Sequence, residues 1–233
     1  MSLATYQQLV DDLVRDKDQV VSSTSRDSAI ANAVAAYSVD APRTLVRDVT
    51  GDGSAVFTLP TEWADGISDL LSIEYPIGNL PTSLIDGQYY GLYLTPTGAQ
   101  LRIDSSIGIG SGDSARVTFT AGHQLDGTND TIPLKHQRAV AALAAAEVCG
   151  QLASYYASEG MPTIGADVSD HQGKTDRYRA RQRDLLALYQ GVVGSAPSQR
   201  DKPASAVAQP AASLDSLGRP RIFHPVRNWP VTP

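Results

Sequence analysis

The chain has 233 residues, of which 42% are hydrophobic, and its net charge at pH 7 is −6. That length allows one large domain or two small ones. No apolar run approaches the roughly 20 residues that a membrane-spanning helix needs. The N-terminus shows neither the basic start nor the apolar stretch of a secretion signal, which predicts synthesis and use in a cytoplasm.

The charge is divided along the chain. Residues 1–194 carry 14 Lys and Arg against 23 Asp and Glu, a net of −9, whereas residues 195–233 carry five against two, a net of +3. Because binding to DNA phosphates needs clustered cations, so acidic a body argues against a dedicated DNA-binding protein. A basic C-terminal segment is suited to contact an acidic neighbour.

The first 42 residues predict two short helices. Thr5 is a candidate N-cap, and a second helix is predicted from Ser25 until Ala41-Pro42, where the proline disfavours a further helical turn. The first helix has an apolar stripe at helical spacing, formed by Tyr6, Leu9, Val10, Leu13 and Val14.

Residues 43–122 change to short alternating or β-branched runs that are separated by turn residues. This pattern predicts six strands, near residues 44–48, 55–59, 70–75, 89–95, 100–103 and 115–121. Six strands in about 80 residues are typical of a small antiparallel sandwich or barrel-like module.

Two longer helices are predicted after the strands. Thr131 and Pro133 open a helix that extends to about Glu159, and its six alanines between positions 139 and 146 allow other helices to approach closely. The last helix is predicted over residues 171–193. The expected fold class is therefore α+β: a four-helix bundle of residues 1–42 and 131–194, a β insertion of residues 43–130 between the second and third helices, and an extended C-terminal arm of residues 195–233.

The C-terminal arm contains seven of the 14 prolines in the chain. Prolines remove backbone donors and block helix interiors, so this segment is not expected to fold on itself. Its apolar side chains alternate with arginines, which indicates anchors for a partner surface; the alternative is a chain terminus without a role. The candidate partner-binding residues are Arg219, Arg221, Ile222, Phe223, Val226, Arg227 and Trp229.

A second candidate surface lies on the last predicted helix. Lys174, Arg177 and Arg181 fall at positions i, i+3 and i+7, which places them on one face. One interpretation is a solvated face that nearby aspartates partly neutralise. The other is a contact with an acidic neighbouring subunit or with DNA that passes by.

No pattern of residues predicts covalent chemistry, a cofactor or a metal, so we expect a protein that is not an enzyme. The segment 48–59 begins like a calcium loop, but Leu59 stands where a bidentate Glu belongs, which favours a tight turn. The four histidines show no metal-ligand spacing, and the single cysteine, Cys149, excludes an intrachain disulfide.

Several features follow one another along the chain in a recognisable order. These features are Tyr37 with Ala41-Pro42-Arg43, the turn Thr50-Gly51-Asp52-Gly53, Leu59-Pro60 with Trp63, Glu74-Tyr75-Pro76, the strand Ala115 to His123, Ile132-Pro133 before an alanine-rich helix, and the segment Asp170 to Tyr178. Their order resembles that of the head-to-tail connector proteins of tailed bacteriophages, also called adaptor or neck proteins. The resemblance covers about Thr5 to Tyr189, and its strength comes from the order of the features together.

This resemblance implies a helical bundle whose copies form a ring, usually of twelve, beneath the portal protein in the neck of the virion. The ring would join capsid to tail, contact a stopper or tail protein, and enclose the channel through which DNA leaves without specific binding. The C-terminal arm would reach the portal, and the alanine-rich helix with its basic neighbour would form the subunit contacts. No catalysis, cofactor or membrane is implied.

Three alternatives stay open at this point. The chain could be another neck or tail component, such as a stopper ring or a tail terminator. It could be a small ligand-binding or hydrolytic module built on the β insertion, which a ligand-dependent melting shift would reveal. It could also be a packaging accessory that grips DNA through the last helix, with binding that weakens steeply with salt.

Overall fold

The helices and strands follow one another in the predicted order in the computed structural model, which describes residues 2–96, 98–159 and 168–194. The α+β class is confirmed: the described part of the chain contains four helices and six strands in two small antiparallel sheets. The elements are α1 (Leu3–Val14), α2 (Ser23–Asp40), β1 (Arg43–Thr50), β2 (Val56–Phe57), β3 (Leu70–Glu74), β4 (Tyr90–Thr95), β5 (Gly98–Ile103), β6 (Ser114–Ala121), α3 (Leu134–Glu159) and α4 (Val168–Val193).

The first two helices begin at serines that lie before the predicted starts. Ser2 is the N-cap of α1, so Thr5 lies inside the helix and is not its cap. Ser22 is the N-cap of α2, and its side chain accepts a hydrogen bond from the backbone N–H of Ser25. That bond satisfies one of the backbone donors that a helix start leaves without a partner, which explains why the helix begins there.

Helix α3 lies at the centre of the helical part and packs against α1, α2 and α4. Its alanines are buried on every side between positions 139 and 146, because short side chains let the backbones of the other helices come close. At Gly150 a Cβ atom would lie 2.8 Å from the Gln182 side chain of α4, so these two helices also approach closely there. Other helices therefore approach α3 closely, as its alanines predict.

Thr131 does not cap α3. Its hydroxyl accepts a hydrogen bond from the backbone N–H of Gln124 at 2.8 Å, and α3 begins at Leu134. The threonine therefore joins the strand end to the segment before the helix. Pro133, which was predicted to open the helix, directly precedes its first residue.

The six strands form two sheets, with strand orders β1-β6-β3 and β2-β5-β4. All pairs are antiparallel, and β6 is the central strand of the first sheet because it pairs with β1 from Arg43 to Thr50 and with β3. Inner side chains of both sheets share one core. The fully buried members of this core are Ile73, Leu101, Ile103, Ala115, Val117, Phe119 and Ala121.

The helical core and the strand core are distinct clusters of buried residues. Of the predicted strands, that over residues 55–59 is the shortest in the structure, with only Val56 and Phe57 paired to β5. In the described part of the chain, no helix combines the length and the apolar character required to cross a bilayer.

Candidate assembly surfaces

Tyr37 and His123, two of the residues that carry the resemblance, meet His136 where the strands join the helices. The hydroxyl of Tyr37 on α2 lies 2.6 Å from Nδ1 of His136 on α3, and both side chains are buried. The Tyr37 ring also packs on the ring of His123, with centroids 4.7 Å apart. We call Tyr37, His123 and His136 the joint, because it connects α2, the end of β6 and the start of α3.

His123 uses both ring nitrogens inside the fold. Its Nε2 lies 2.9 Å from the carbonyl oxygen of Ala41, and its Nδ1 lies 3.0 Å from that of Thr131. Its backbone N–H donates to the hydroxyl of Ser38 at 2.8 Å. Burial lowers the pKa of His123 although the two carbonyl oxygens favour the charged ring, and burial likewise lowers the pKa of His136. These contacts give both histidines a structural part in holding the β insertion on the helices.

Lys174, which sequence reasoning placed on a contact surface, has partners within the subunit. Its Nζ donates to Asp18 at 3.2 Å and lies 4.9 Å from the centroid of the Tyr156 ring. The hydroxyl of Tyr156 also donates to Asp18, at 2.8 Å, and the Tyr156 ring stacks on Tyr178. The pKa of Asp18 is lowered by its hydrogen bonds from Tyr156 and Lys174, in that order of size. This cluster ties the loop after α1 to α3 and α4.

Arg177 and Arg181 stay available for other contacts. Arg177 is exposed and Arg181 is half-buried, and neither forms an ion pair among the described residues. Two arginines that the sequence analysis did not choose, Arg179 and Arg183, are also exposed on α4 without an ion pair in the same part of the chain. Lys174 therefore differs from the four arginines of this helix, because it is the one with an ion pair among the described residues.

The carboxylates in and beside the glycine-rich segment after β1 have hydrogen-bond partners within the chain. The Asp52 side chain accepts a hydrogen bond from the backbone N–H of Ser54 at 2.8 Å, and Asp48 accepts two from Arg116 at 2.8 and 3.1 Å. No group of three metal-ligating side chains occurs within residues 2–96, 98–159 and 168–194. Cys149 is fully buried, and burial raises the pKa of its thiol to about 11.

The seven predicted arm residues, from Arg219 to Trp229, lie outside the described residues. Their role in binding a partner stays a prediction.

Sequence reasoning missed an exposed apolar surface on the hairpin of β4 and β5. Leu92 is 46% exposed, Tyr93 is 48% exposed and Leu94 is 78% exposed. A signal was present in the sequence, because β4 has large apolar residues at three consecutive positions, where a half-buried strand alternates with polar residues. Such a strand has an apolar residue on both faces of the sheet.

Comparisons with known proteins give one kind of match. No protein-family model matches the chain, and no curated protein matches it. Among solved structures, it is similar to a chain of the neck of an empty GTA particle computed with C6 symmetry, with a TM-score of 0.27 and 16% identity; the alignment covers 77% of this chain and 92% of that chain. None of these comparisons assigns the chain to a family, so its function is inferred from its own residues.

Proposed function

We propose that this protein is a structural component of the neck of a tailed-phage particle: a head-to-tail connector, or adaptor, subunit. Copies of the chain form a ring of twelve under the portal protein and join the capsid to the stopper or tail protein. Genomic DNA passes through the ring without specific binding. The chain performs no catalysis in this role.

The observation that carries the proposal is the joint. Tyr37, His123 and His136 are 99 residues apart in the chain at their extremes, yet they form one cluster that is joined by a hydrogen bond and by ring contacts. Two of them, Tyr37 and His123, belong to the features that resemble connector proteins. These residues contact other parts of the same fold. The features that carry the resemblance therefore hold the fold together, which supports a structural function.

The charge of the chain supports a DNA-exit channel. A wall with uncompensated cations would hold the phosphate backbone and release counterions, whereas an acidic wall lets DNA pass. The net charge of −9 over residues 1–194 supports such a wall.

The composition of the C-terminal arm supports a contact with a partner. Ile222, Phe223, Val226 and Trp229 are apolar anchors, and a proline-stiffened segment loses less conformational entropy when it docks. We assign this arm to the portal. Repetition around a ring strengthens a modest contact, because each further arm binds at a high effective concentration.

The proposed function is tested by deletion of the gene that encodes this chain in cells that produce the particles. Electron microscopy is expected to show heads and tails that are not joined, and the wild-type chain supplied from a plasmid restores joined particles. Joined, infectious particles without the chain would contradict the proposal. A defect at another position of the neck or at the end of the tail, in particles without the chain, would instead indicate a stopper or a tail terminator.

Truncation after Gly218 tests the arm separately. The shortened protein is expected to fold as the full chain does but to bind purified portal more weakly. A matched control replaces only Arg200 and Lys202 with serine, which removes charge from the arm but keeps its apolar anchors. Equal portal binding by the truncated and full chains would remove the arm from the mechanism.

A further inference from the structure

Strand β4 is an edge strand, because it pairs with β5 on one side and its sheet ends there. Residues of an antiparallel pair alternate between positions that exchange backbone hydrogen bonds and positions that do not. The backbone N–H of Asp104 donates to the carbonyl oxygen of Tyr89 at 2.7 Å, so the odd-numbered positions of this strand bond to β5. The N–H and C=O groups of Tyr90, Leu92 and Leu94 therefore point away from β5.

These outward groups of β4 form no backbone hydrogen bond with the described residues. The other strand edges are protected in ways that natural sheets use. Strand β1 carries three charged residues, β2 has only two residues, and the N–H of Ile85 donates to Ile73 at the edge of β3. Strand β4 carries no charged residue from Tyr90 to Thr95. An uncharged edge with open donors and acceptors is suited to pair with another strand.

The inner face of this edge is apolar and open. Side chains at alternate positions of a strand lie on the same face of the sheet, and directly opposite residues share a face. Leu92 lies opposite Leu101, which is fully buried, so Tyr90, Leu92 and Leu94 belong to the inner face. Leu92 is nevertheless 46% exposed and Leu94 is 78% exposed. A further strand at this edge would cover both leucines.

The outer face of β4 has a gap beside a large ring. A Cβ atom at Gly91 would meet no atom within 4 Å, whereas the Tyr93 ring is 48% exposed. Arg102 of β5 lies opposite Gly91, and its guanidinium carbon is 5.8 Å from the centroid of the Tyr93 ring. A glycine in an edge strand is stabilised by an aromatic side chain opposite it on the neighbouring strand. The next strand outward should therefore place an aromatic ring opposite Gly91.

We propose that β4 pairs with β4 of a second copy of this chain, in an antiparallel contact whose two-fold axis passes between the two Leu92 residues. In this register, Leu92 faces Leu92 and Tyr90 faces Leu94 of the other copy. Each of these three pairs exchanges two backbone hydrogen bonds, which makes about six in all. Tyr93 of each copy lies opposite Gly91 of the other and fills its gap. No other register of β4 with itself pairs all three outward positions.

The charges around the strand favour a second copy as the occupant. A two-fold contact sets a strand against itself, so charged residues at its centre would face like charges. Strand β4 has none, and Arg102 would lie beside Tyr93 of the second copy, where an arginine is attracted to the ring. Asp104 lies opposite Tyr89, three positions from the centre at Leu92. The contact therefore brings no like charges together.

This contact goes beyond the proposed function and is separate from it. A contact of one patch with itself stops at two copies, whereas a ring needs a head-to-tail contact. Pairing through β4 covers an edge that would otherwise promote aggregation of unassembled copies. Failure of this pairing would leave the connector function standing. Conversely, joined particles without the chain would overturn that function whatever the state of the free protein.

Disulfide formation in the full-length protein tests the partner and the register together. Leu92→Cys places two Cα atoms about 5.5 Å apart across the axis, which a disulfide can bridge. Leu94→Cys is the matched control, because its two Cα atoms would be roughly 14 Å apart although Leu94 is the more exposed residue. Under mild oxidation, Leu92→Cys is expected to give a covalent dimer with at least about tenfold the yield of Leu94→Cys. Cys149 stays in both variants because its thiol is fully buried.

Hydrogen exchange of single amides tests the backbone part of the contact. In dilute wild-type protein, the amides of Gly91 and Tyr93 should be protected by β5, whereas those of Tyr90, Leu92 and Leu94 should exchange quickly. In concentrated protein, the second group should gain at least about tenfold protection. Leu92→Pro removes one outward N–H and should abolish the gain at Tyr90 and Leu94. Leu92→Ala keeps that N–H and should retain most of the gain.

Three results would overturn the contact. They are equal disulfide yields from Leu92→Cys and Leu94→Cys, no dimer from Leu92→Cys, or equal exchange of the Tyr90, Leu92 and Leu94 amides in dilute and concentrated wild-type protein. The wild-type measurement does not depend on the folding of Leu92→Pro, which circular dichroism checks. Protection that arises only after portal or tail protein is added would assign the edge to that protein and overturn the second copy as its occupant.

Discussion

The helical part and the β insertion differ in their net charge and in the contacts of their side chains. Several polar side chains of the helical part are paired within the subunit: Tyr189 donates to Asp40 at 2.6 Å, and Tyr156 with Lys174 holds Asp18. The β insertion keeps a net charge of −7 and exposes Leu94. A region whose polar side chains are paired within the chain is suited to support the fold. A region with a large net charge and exposed apolar side chains is suited to bind a partner.

The largest expected effect comes from the core of the β insertion. Phe119→Ala removes a fully buried ring and should lower the free energy of unfolding by about 3–5 kcal/mol. Leu92→Ala, on the exposed hairpin, is the matched control and should change it little. Urea denaturation followed by circular dichroism measures both.

The same variant sharpens the division into two cores. If residues 43–130 are a separate module, as the sequence analysis predicts, hydrogen exchange in Phe119→Ala should lose protection in the strands and keep it in α3. Equal loss of protection in both regions would contradict that division.

The close packing of α3 predicts an effect of intermediate size. Ala142 is fully buried, so Ala142→Leu should destabilise the protein by about 1–3 kcal/mol through overpacking. Ala157→Leu places the same side chain at an exposed position of the same helix. Its melting temperature should stay close to that of the wild type, and a similar loss in both variants would contradict the central position of α3.

The joint between the two regions predicts a smaller loss. Tyr37→Phe removes the hydroxyl that bonds to His136 and should cost about 1 kcal/mol, because a buried ring nitrogen loses its partner. Tyr93→Phe, at the exposed hairpin, is the control. Equal stability of the Tyr37→Phe variant and the wild type in urea denaturation would show that the hydrogen bond does not hold the two regions together.

The joint also predicts the weakest effect, which depends on pH. Burial keeps the pKa of His123 and His136 below 6.5 in the folded protein, so the unfolded chain takes up protons first as pH falls. Stability from these two residues is therefore present above pH 6.5 and is lost as pH falls through 6.5 toward the folded pKa values. Arg43, Asp130 and Lys135 contribute the charges around them. An NMR titration of the two rings that gives values above 6.5 would contradict this sign.

Much of the fold could be predicted from the sequence because its signals are local. The stripe of α1, the break at Pro42 and the six β-branched runs depend on neighbours a few residues away. Boundaries were less accurate: Thr5 and Thr131 have the chemistry of caps, but Ser2 precedes α1 and Thr131 bonds across the strand end. Which hydroxyl finds a donor depends on packing that the sequence pattern does not contain.

The candidate surfaces were less predictable, since they depend on contacts between distant residues. Lys174 and Arg177 have the same spacing pattern, but only Lys174 lies beside Asp18, which is 156 residues away. The sequence pattern predicts an ordinary strand at β4. The exposure of Leu94 cannot be predicted from that pattern, because it depends on the packing of the two sheets. The arm residues, such as Phe223 and Trp229, remain a prediction.

The central claim is that copies of this chain assemble as a ring on a portal. Electron microscopy of the purified full-length protein mixed with its portal protein tests this most directly. The account predicts a second ring stacked on one face of the portal, with the same rotation axis. Portal rings without an added layer, at protein concentrations that saturate any binding, would contradict it.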